Sequence, residues 1–262
     1  MLSARQAARF AADGFVLGSR VLTADAVEEL RAELARVIDD HGGDGPQPVR
    51  LANLSGDPAA PVWQIVNICD ASPAFMALVH HPVIVEEVVQ LTGAAELRLW
   101  HDQIQYKPAA IGGVNMWHQD SPYWPSLEPK DAQLTAWVAL DDVDPDNGCM
   151  SMVPGSHHWG NQIGWLHGVR DFEALPPQFE GRPTPAVCCP VAAGGVHYHH
   201  SLTWHGSAAN RSGRPRRAVA LHYMTERTVF HRGGGHLMEP FIASGDGEKV
   251  EGARFPLVWT RD

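Results

Sequence analysis

The stretch Trp117-His118-Gln119-Asp120 decides how this chain is read, together with Thr203-Trp204-His205-Gly206-Ser207-Ala208-Ala209-Asn210-Arg211-Ser212 far downstream. A histidine and a carboxylate two residues apart, joined by a distant second histidine, make up the ligand set of a mononuclear ferrous site. Two imidazoles and one carboxylate occupy one face of an octahedral ion and leave the opposite face open. Side chains alternate along an extended strand, so His118 and Asp120 point the same way if they share one. His205 then has to come from another strand lying beside the first. In a chain of 15 histidines the triplet alone reads equally well as a buried His–Asp pair, with His205 a turn residue.

Arg216 separates the two readings. It follows His205 within Arg214-Pro215-Arg216-Arg217-Ala218-Val219-Ala220-Leu221, where an arginine enters an apolar strand. Burying that cation is costly unless it meets an anion. Its planar fork fits a carboxylate through two parallel hydrogen bonds. A dicarboxylate that chelates a metal at one end needs such an anchor at the other.

Further motifs lie in order along nearly the whole chain. They are Phe10-Ala11-Ala12-Asp13-Gly14-Phe15-Val16, Tyr106-Lys107-Pro108, Trp117-His118-Gln119-Asp120, Tyr123-Trp124 and Trp137-Val138-Ala139-Leu140-Asp141-Asp142. Asn147-Gly148-Cys149-Met150, Val153-Pro154-Gly155-Ser156-His157 and His205-Gly206-Ser207 with Asn210, Ser212 and Arg216-Arg217-Ala218 complete the series. In these the chain resembles the phytanoyl-CoA dioxygenase family of Fe(II)/2-oxoglutarate-dependent oxygenases, which includes ectoine hydroxylase. The resemblance implies Fe(II) as cofactor, 2-oxoglutarate and O₂ as co-substrates, and release of succinate and CO₂ as a substrate C–H bond is oxidised. It implies His118, Asp120 and His205 as metal ligands and Arg216 with Ser207 as partners of the distal carboxylate of 2-oxoglutarate. Gln103, Gln105 and Trp137 match co-substrate positions; a polar strand face and a core tryptophan are the alternatives. Tyr123, Trp124 and His199 are candidates for the substrate side, although Tyr123 and Trp124 are also readable as exposed loop aromatics. His197, His199 and His200 crowd the strand before His205, where they also suit orientation of the ligands. Arg217 falls on the strand face opposite Arg216, so only one of the two can point inward. Relatives often carry an acidic residue after the glycine near Gly195, where this chain has Val196. A carboxylate at Asp120 leaves no coordination site for chloride, which favours hydroxylation over halogenation.

Composition fits one domain spanning 1–262. At 262 residues and 44% hydrophobic the chain can bury a large core. A net charge of −10 and a pI near 5.8 disfavour nucleic acid or an anionic membrane as partner. A small-molecule substrate is expected instead. No apolar run reads as a membrane span, and Met1-Leu2-Ser3-Ala4-Arg5-Gln6 lacks a signal core, so a cytoplasmic protein is expected. Cys69, Cys149, Cys188 and Cys189 contain no C-x-x-C and read as free thiols.

The expected fold is mainly β with flanking helices around a double-stranded β-helix, the cupin-like jelly roll. Residues 1–95 read as a mostly helical flank, 96–225 as the β-helix core and 226–262 as a C-terminal extension. Val27, Leu30, Leu34, Val37 and Ile38 recur at helical spacing after Thr23, a candidate N-cap. Ser72-Pro73 reads as a helix start and Gly93 as a helix stop. On the strand from Glu96, an unbroken alternation puts Leu97, Leu99, His101, Gln103, Gln105 and Lys107 on one face. Strands are also expected over 134–140, 187–191, 196–204 and 218–223, separated by Gly and Pro clusters. The 160–185 segment lacks periodicity and reads either as a lid or as a surface excursion.

Desaturation, cyclisation, epimerisation or demethylation at the same iron centre stand as alternatives to hydroxylation. A non-catalytic metal or 2-oxoglutarate binder and a zinc hydrolase are readings from other classes. No feature of the sequence names the substrate; the lack of a Lys/Arg-rich patch points to a small metabolite or natural-product intermediate over a CoA thioester.

Overall fold

The computed structural model describes residues 1–261. The helices are α1 (Ala4–Asp13), α2 (Ala24–Asp39), α3 (Pro73–Val79), α4 (Pro82–Thr92) and the short α5 (Ile163–Leu166). The strands before the metal motif are β1 (Phe15–Arg20), β2 (Arg50–Asn53), β3 (Trp63–Val66) and β4 (Glu96–Lys107). Next come β5 (Asn115–His118), β6 (Leu127–Glu128), β7 (Gln133–Ala139), β8 (Met150–Met152), β9 (Gln178–Phe179), β10 (Arg182–Pro183) and β11 (Val187–Cys189). The last are β12 (Gly195–His200), β13 (His205–Ser207), β14 (Arg216–Thr225), β15 (Val229–Phe230) and β16 (Leu257–Thr260).

The major sheet runs β1-β12-β7-β14-β4-β3-β2, with β16 also paired to β4, and the minor sheet runs β11-β8-β13-β5. All these pairings are antiparallel. The two sheets face one another as a jelly roll, as expected. Residues before 96 carry helices α1 to α4 and also supply β1, β2 and β3 to the major sheet, and β16 ties the C-terminal segment to it.

Strand alternation divides the major sheet into two chemistries. Leu134, Ala136, Val138, Val196, Tyr198, Val219, Leu221 and Tyr223 join Val27, Leu30, Leu34, Val37, Phe75, Ile84 and Val88 of the helices in one core. The opposite face turns inward between the sheets, where Trp137, Ala218 and Ala220 meet Met150, Met152 and Cys189 of the minor sheet. Thr23 caps α2, accepting from Ala26 N at 3.2 Å, and Gly93 ends α4 with φ 67°. Ser72 precedes α3, but its hydroxyl donates to Glu33 at 2.6 Å and makes no capping bond.

Two expectations need correction. The strand β4 is not an unbroken alternation. Tyr223 pairs with Leu99 and His222 with His101, so Trp100 has no partner and bulges. The extra residue inverts the parity: Leu97 and Leu99 face the helices with Ile104, while His101, Gln103, Gln105 and Lys107 face the interior of the roll. Second, Pro73–Thr92 does have the length and apolarity of a membrane span. It is two helices broken before Pro82, whose Phe75, Leu78, Val79, Ile84 and Val88 are buried in the core.

Candidate metal centre

His205 on β13 lies directly opposite His118 on β5, so neighbouring strands deliver the two imidazoles. Asp120 arrives differently from the strand-alternation expectation. It sits past the end of β5 with φ −74° and ψ −56°, at the start of a 3₁₀ turn. Its amide and that of Ser121 both donate to Ser201 O, at 2.9 and 3.1 Å, and pin this turn. One ligand atom from each of His118, Asp120 and His205 lies within 4.8 Å of the others. Asp120 Oδ1 is 3.5 Å from His205 Nε2 and 3.8 Å from His118 Nε2.

The hydrogen bonds behind these atoms fit a divalent cation. His118 Nδ1 is 2.7 Å from Met116 O and His205 Nδ1 is 2.9 Å from Thr203 O. A carbonyl only accepts, so each Nδ1 carries the hydrogen and each Nε2 presents a lone pair. Asp120 Oδ2 accepts from Thr135 Oγ1 at 2.8 Å and from His199 Nε2 at 3.0 Å, which leaves Oδ1 for the metal. Burial, with His205 alongside, pushes His118 down to about 3. Burial opposes ionisation of Asp120, but His205 and His199 outweigh it and hold the carboxyl well below its usual range. For His205 burial disfavours the cation, yet Asp120 raises its pKa on balance. The carboxylate therefore calls for positive charge at this point.

A recess beside the triad is lined by Gln103, Gln105, Asn115, Trp137, Ser207, Ala220 and His222. Behind its Ser207, Arg216 and Lys107 are both fully buried. Lys107 Nζ donates to Ser207 Oγ at 2.6 Å and to the carbonyls of Ser207 and Ala208 at 3.1 and 2.6 Å. Arg216 donates to Ser207 Oγ at 3.0 Å, to Gly148 O at 3.2 Å and to Gln105 O at 3.5 Å. Its guanidinium lies 5.3 Å from the Trp137 ring centroid. Among the described residues neither cation has an acidic partner. Burial pushes Arg216 down to about 10 and Lys107 well below the ordinary lysine range, with Arg216 adding to the latter. Ser207 Oγ accepts from both cations, so its own hydrogen is free to donate. The amide oxygens of Gln103 and Gln105 accept from Gln64 and Asn115 at 2.6 and 2.9 Å, leaving their NH₂ groups as unused donors. Arg217 points the other way, as alternation requires, and grips Asp141 at 2.7 and 2.9 Å.

His118 and Asp120 also open onto a cleft of about 1000 Å³. Trp124, buried, and Tyr123, about half-exposed, both line it, and Tyr123 Oη is 2.9 Å from His167 Nε2. Leu166, His167, Val169 and Arg170 from the 160–185 segment form a wall. That segment is packed, with Leu166, Phe172 and Phe179 buried beside Trp117 and Trp204. Of the two roles open to His199, substrate contact and orientation of the ligands, its bond to Asp120 Oδ2 fits the second. The sequence reading gave no role to Lys107, Thr135, His101 or His222. Thr135 shares strand parity with Trp137, and His222 with Arg216, which is the signal that would have found them. Burial lowers His222 to about 4 and His101 well below its ordinary value.

The profile described as "Phytanoyl-CoA dioxygenase (PhyH)" matches residues 10–218. The chain is 24% identical over 241 residues to the peroxisomal phytanoyl-CoA dioxygenase of Rattus norvegicus, covering 85% of this chain and 68% of that protein. It is 29% identical over 237 residues to the ectoine dioxygenase of Bordetella parapertussis, covering 85% and 75%. Among solved structures, the non-heme alpha ketoglutarate dependent carbocyclase SnoK from nogalamycin biosynthesis superposes with TM-score 0.81 and 31% identity, covering 98% of this chain and 97% of SnoK. The epimerase SnoN from the same pathway gives 0.76 and 27%, covering 97% and 98%. A profile match over most of the chain, and full-length likeness to such enzymes, join the triad and the buried cations: the chain belongs to the phytanoyl-CoA dioxygenase family of Fe(II)/2-oxoglutarate-dependent oxygenases.

Proposed function

We propose that this enzyme hydroxylates an unactivated C–H bond of a bulky small molecule, a metabolite or natural-product intermediate, bound in the cleft beside the triad. The observation that carries the co-substrate assignment is the pair of buried cations, Arg216 and Lys107, meeting at Ser207 Oγ without a protein carboxylate. Unpaired buried charge is costly, and a carboxylate delivered into the recess satisfies both cations. Ser207 and the NH₂ groups of Gln103 and Gln105 supply neutral donors, while Trp137 supports the Arg216 fork.

In this reading His118, Asp120 and His205 hold Fe(II), and Thr135 and His199 fix which Asp120 oxygen faces it. When bound, iron with 2-oxoglutarate and O₂ supplies an oxidant able to attack an unactivated C–H bond, releasing succinate and CO₂. The chain's own contribution is to bind, orient and exclude. Arg216 sets the co-substrate's direction, Trp124 and Tyr123 bound the substrate, and the packed 160–185 segment walls the cleft. The four cysteines are all unpaired, which suits the reducing cytosol. The acidic net charge of −10 suits neither nucleic acid nor an anionic membrane.

A second reading, ring closure or epimerisation, draws on the full-length likeness to the carbocyclase and the epimerase. Product analysis separates the two, because hydroxylation adds one oxygen atom from O₂ and the others add none. The test of the reaction class is succinate formation that requires Fe(II), 2-oxoglutarate and O₂ together. Activity that proceeds anaerobically without 2-oxoglutarate would instead make the site hydrolytic.

A further inference from the structure

Four histidines line the cleft without serving as metal ligands: His167, which meets Tyr123, and a cluster of His101, His222 and His236. His101 and His222 are register partners on β4 and β14, with ring centroids 4.6 Å apart. The His236 ring stacks 5.6 Å from His101. Trp124 stands edge-on to both buried rings, at 5.8 Å from His101 and 4.9 Å from His222.

Their hydrogen bonds assign where each ring carries its hydrogen. The Thr135 hydroxyl gives its hydrogen to the Asp120 carboxylate, so Thr135 Oγ1 can only accept from His222 Nδ1, 2.8 Å away. His222 Nε2 is then a bare acceptor. His101 Nδ1 lies 3.4 Å from Asp102 O, a carbonyl that only accepts, so His101 Nε2 is a bare acceptor too. His236 is the reverse: its Nδ1 accepts from Met238 N at 3.2 Å, which puts the hydrogen on Nε2. Among the described residues, neither His101 Nε2 nor His222 Nε2 has a partner, and both atoms are buried. Two acceptors cannot satisfy one another, and buried polar atoms are seldom left unmet.

We propose that these rings recognise adjacent hydroxyl groups on a ring of the substrate, with His101 Nε2 and His222 Nε2 each accepting an O–H and His236 Nε2–H donating to a hydroxyl oxygen. The proposal rests on the cleft being the substrate site. It excludes groups that lack the pattern. A carboxylate, phosphate or thioester only accepts and leaves both acceptors unmet. An ammonium only donates and leaves the His236 N–H without use. Adjacent hydroxyls supply two hydrogens and accepting oxygens at once, as a sugar or an aromatic diol does. Next to the triad, this subsite fixes which C–H bond is presented, so the three histidines determine specificity and position the substrate.

The test has two readouts on the Zn(II)-loaded, 2-oxoglutarate-bound protein. Long-range ¹H–¹⁵N NMR reads the histidine tautomers directly: His101 and His222 are expected with hydrogen on Nδ1, and His236 with hydrogen on Nε2. Tryptophan fluorescence then follows binding of 2,3-dihydroxynaphthalene and methyl β-D-glucopyranoside, each against its fully O-methylated counterpart. The better-binding diol identifies the source, and methylation is expected to weaken it about 10-fold or more. That difference should collapse in His101→Phe and partly return in His101→Gln, whose amide oxygen again accepts. Hydrogen on Nε2 of His101 or His222 overturns the proposal. So does equal binding of diol and ether, or binding of neither. Because neither readout requires turnover, such a failure beside intact Fe(II)- and 2-oxoglutarate-dependent succinate release removes the subsite alone. Failure of succinate release removes the wider reading.

Discussion

Replacing Arg216 by methionine keeps most of the side-chain volume and removes only the fork and its charge. In the structure that charge is fully buried, touches Ser207, Gly148 and Gln105, and faces no acidic residue. A charge-assisted bidentate contact to a buried carboxylate contributes on the order of 2–4 kcal/mol, so Arg216→Met should raise the 2-oxoglutarate KM roughly 30- to 1000-fold. Lys107 stays behind to attract the carboxylate, which favours the lower half of that range. Without co-substrate the variant should melt no lower than wild type, since it removes a buried cation that has no counter-ion. The ligand-induced shift should shrink sharply. At 2-oxoglutarate 100-fold above the wild-type Kd, stabilisation is about 2.7 kcal/mol, and it falls below about 1 kcal/mol once Kd rises 30-fold. Thermal melts with and without 2-oxoglutarate, beside succinate kinetics, read both quantities. Arg217→Ala removes an outward pair with Asp141 and should leave the KM alone. A variant Arg216→Met that melts much lower without ligand and keeps a normal KM would refute the reasoning, because Arg216 would then be a structural cation.

Thr135→Val removes a donor from Asp120 Oδ2 and the partner of His222 Nδ1; Fe(II) affinity or turnover should drop about 10- to 100-fold with the 2-oxoglutarate KM little changed, and unchanged iron affinity and turnover would dismiss the bond as incidental. Asp102 is buried on the helix side of β4, where burial raises its carboxyl to about 7. Its folded pKa exceeds the unfolded value, so its contribution is intact below about pH 4 and is lost as pH rises through about 7. Asp102→Asn should therefore gain about 2–4 kcal/mol relative to wild type at pH 8 and little at pH 4. Chemical denaturation at the two pH values measures this, and an equal effect at both would contradict it.

The candidate metal ligands and the inward arginine were legible because their signals are local. His118, Asp120 and His205 carry metal-ligand chemistry in their residue types, and Arg216 interrupts an apolar strand with a charge. Alternation placed Arg216 and Arg217 on opposite faces, and the family resemblance chose Arg216 as the inward one, which is the buried one. What stayed hidden depends on pairing between distant segments. The bulge at Trp100 exists only relative to β14, so no alternation count along β4 could place Leu99 and His101 on opposite faces. Asp120 keeps its sequence spacing from His118 but is aimed by the turn pinned to Ser201 O, not by strand parity. Lys107 was visible as a motif residue, yet its role emerges only where Ser207 meets it across the sheets. The 15–20 segment has few apolar residues beyond Phe15, Val16 and Leu17 and reads weakly as a strand, but pairing with β12 makes it one. His101 and His222 lie far apart in sequence and become neighbours through cross-strand register.

The central claim is that one Fe(II) is held by His118, Asp120 and His205 and by no other protein group. Anaerobic Fe(II) titration calorimetry on wild type and on His118→Ala, Asp120→Ala and His205→Ala tests it most directly, with circular dichroism confirming that each variant folds. The account predicts one Fe(II) per chain in wild type and loss of tight binding in every variant. Tight one-to-one binding retained by any folded variant would contradict it and remove that residue from the centre.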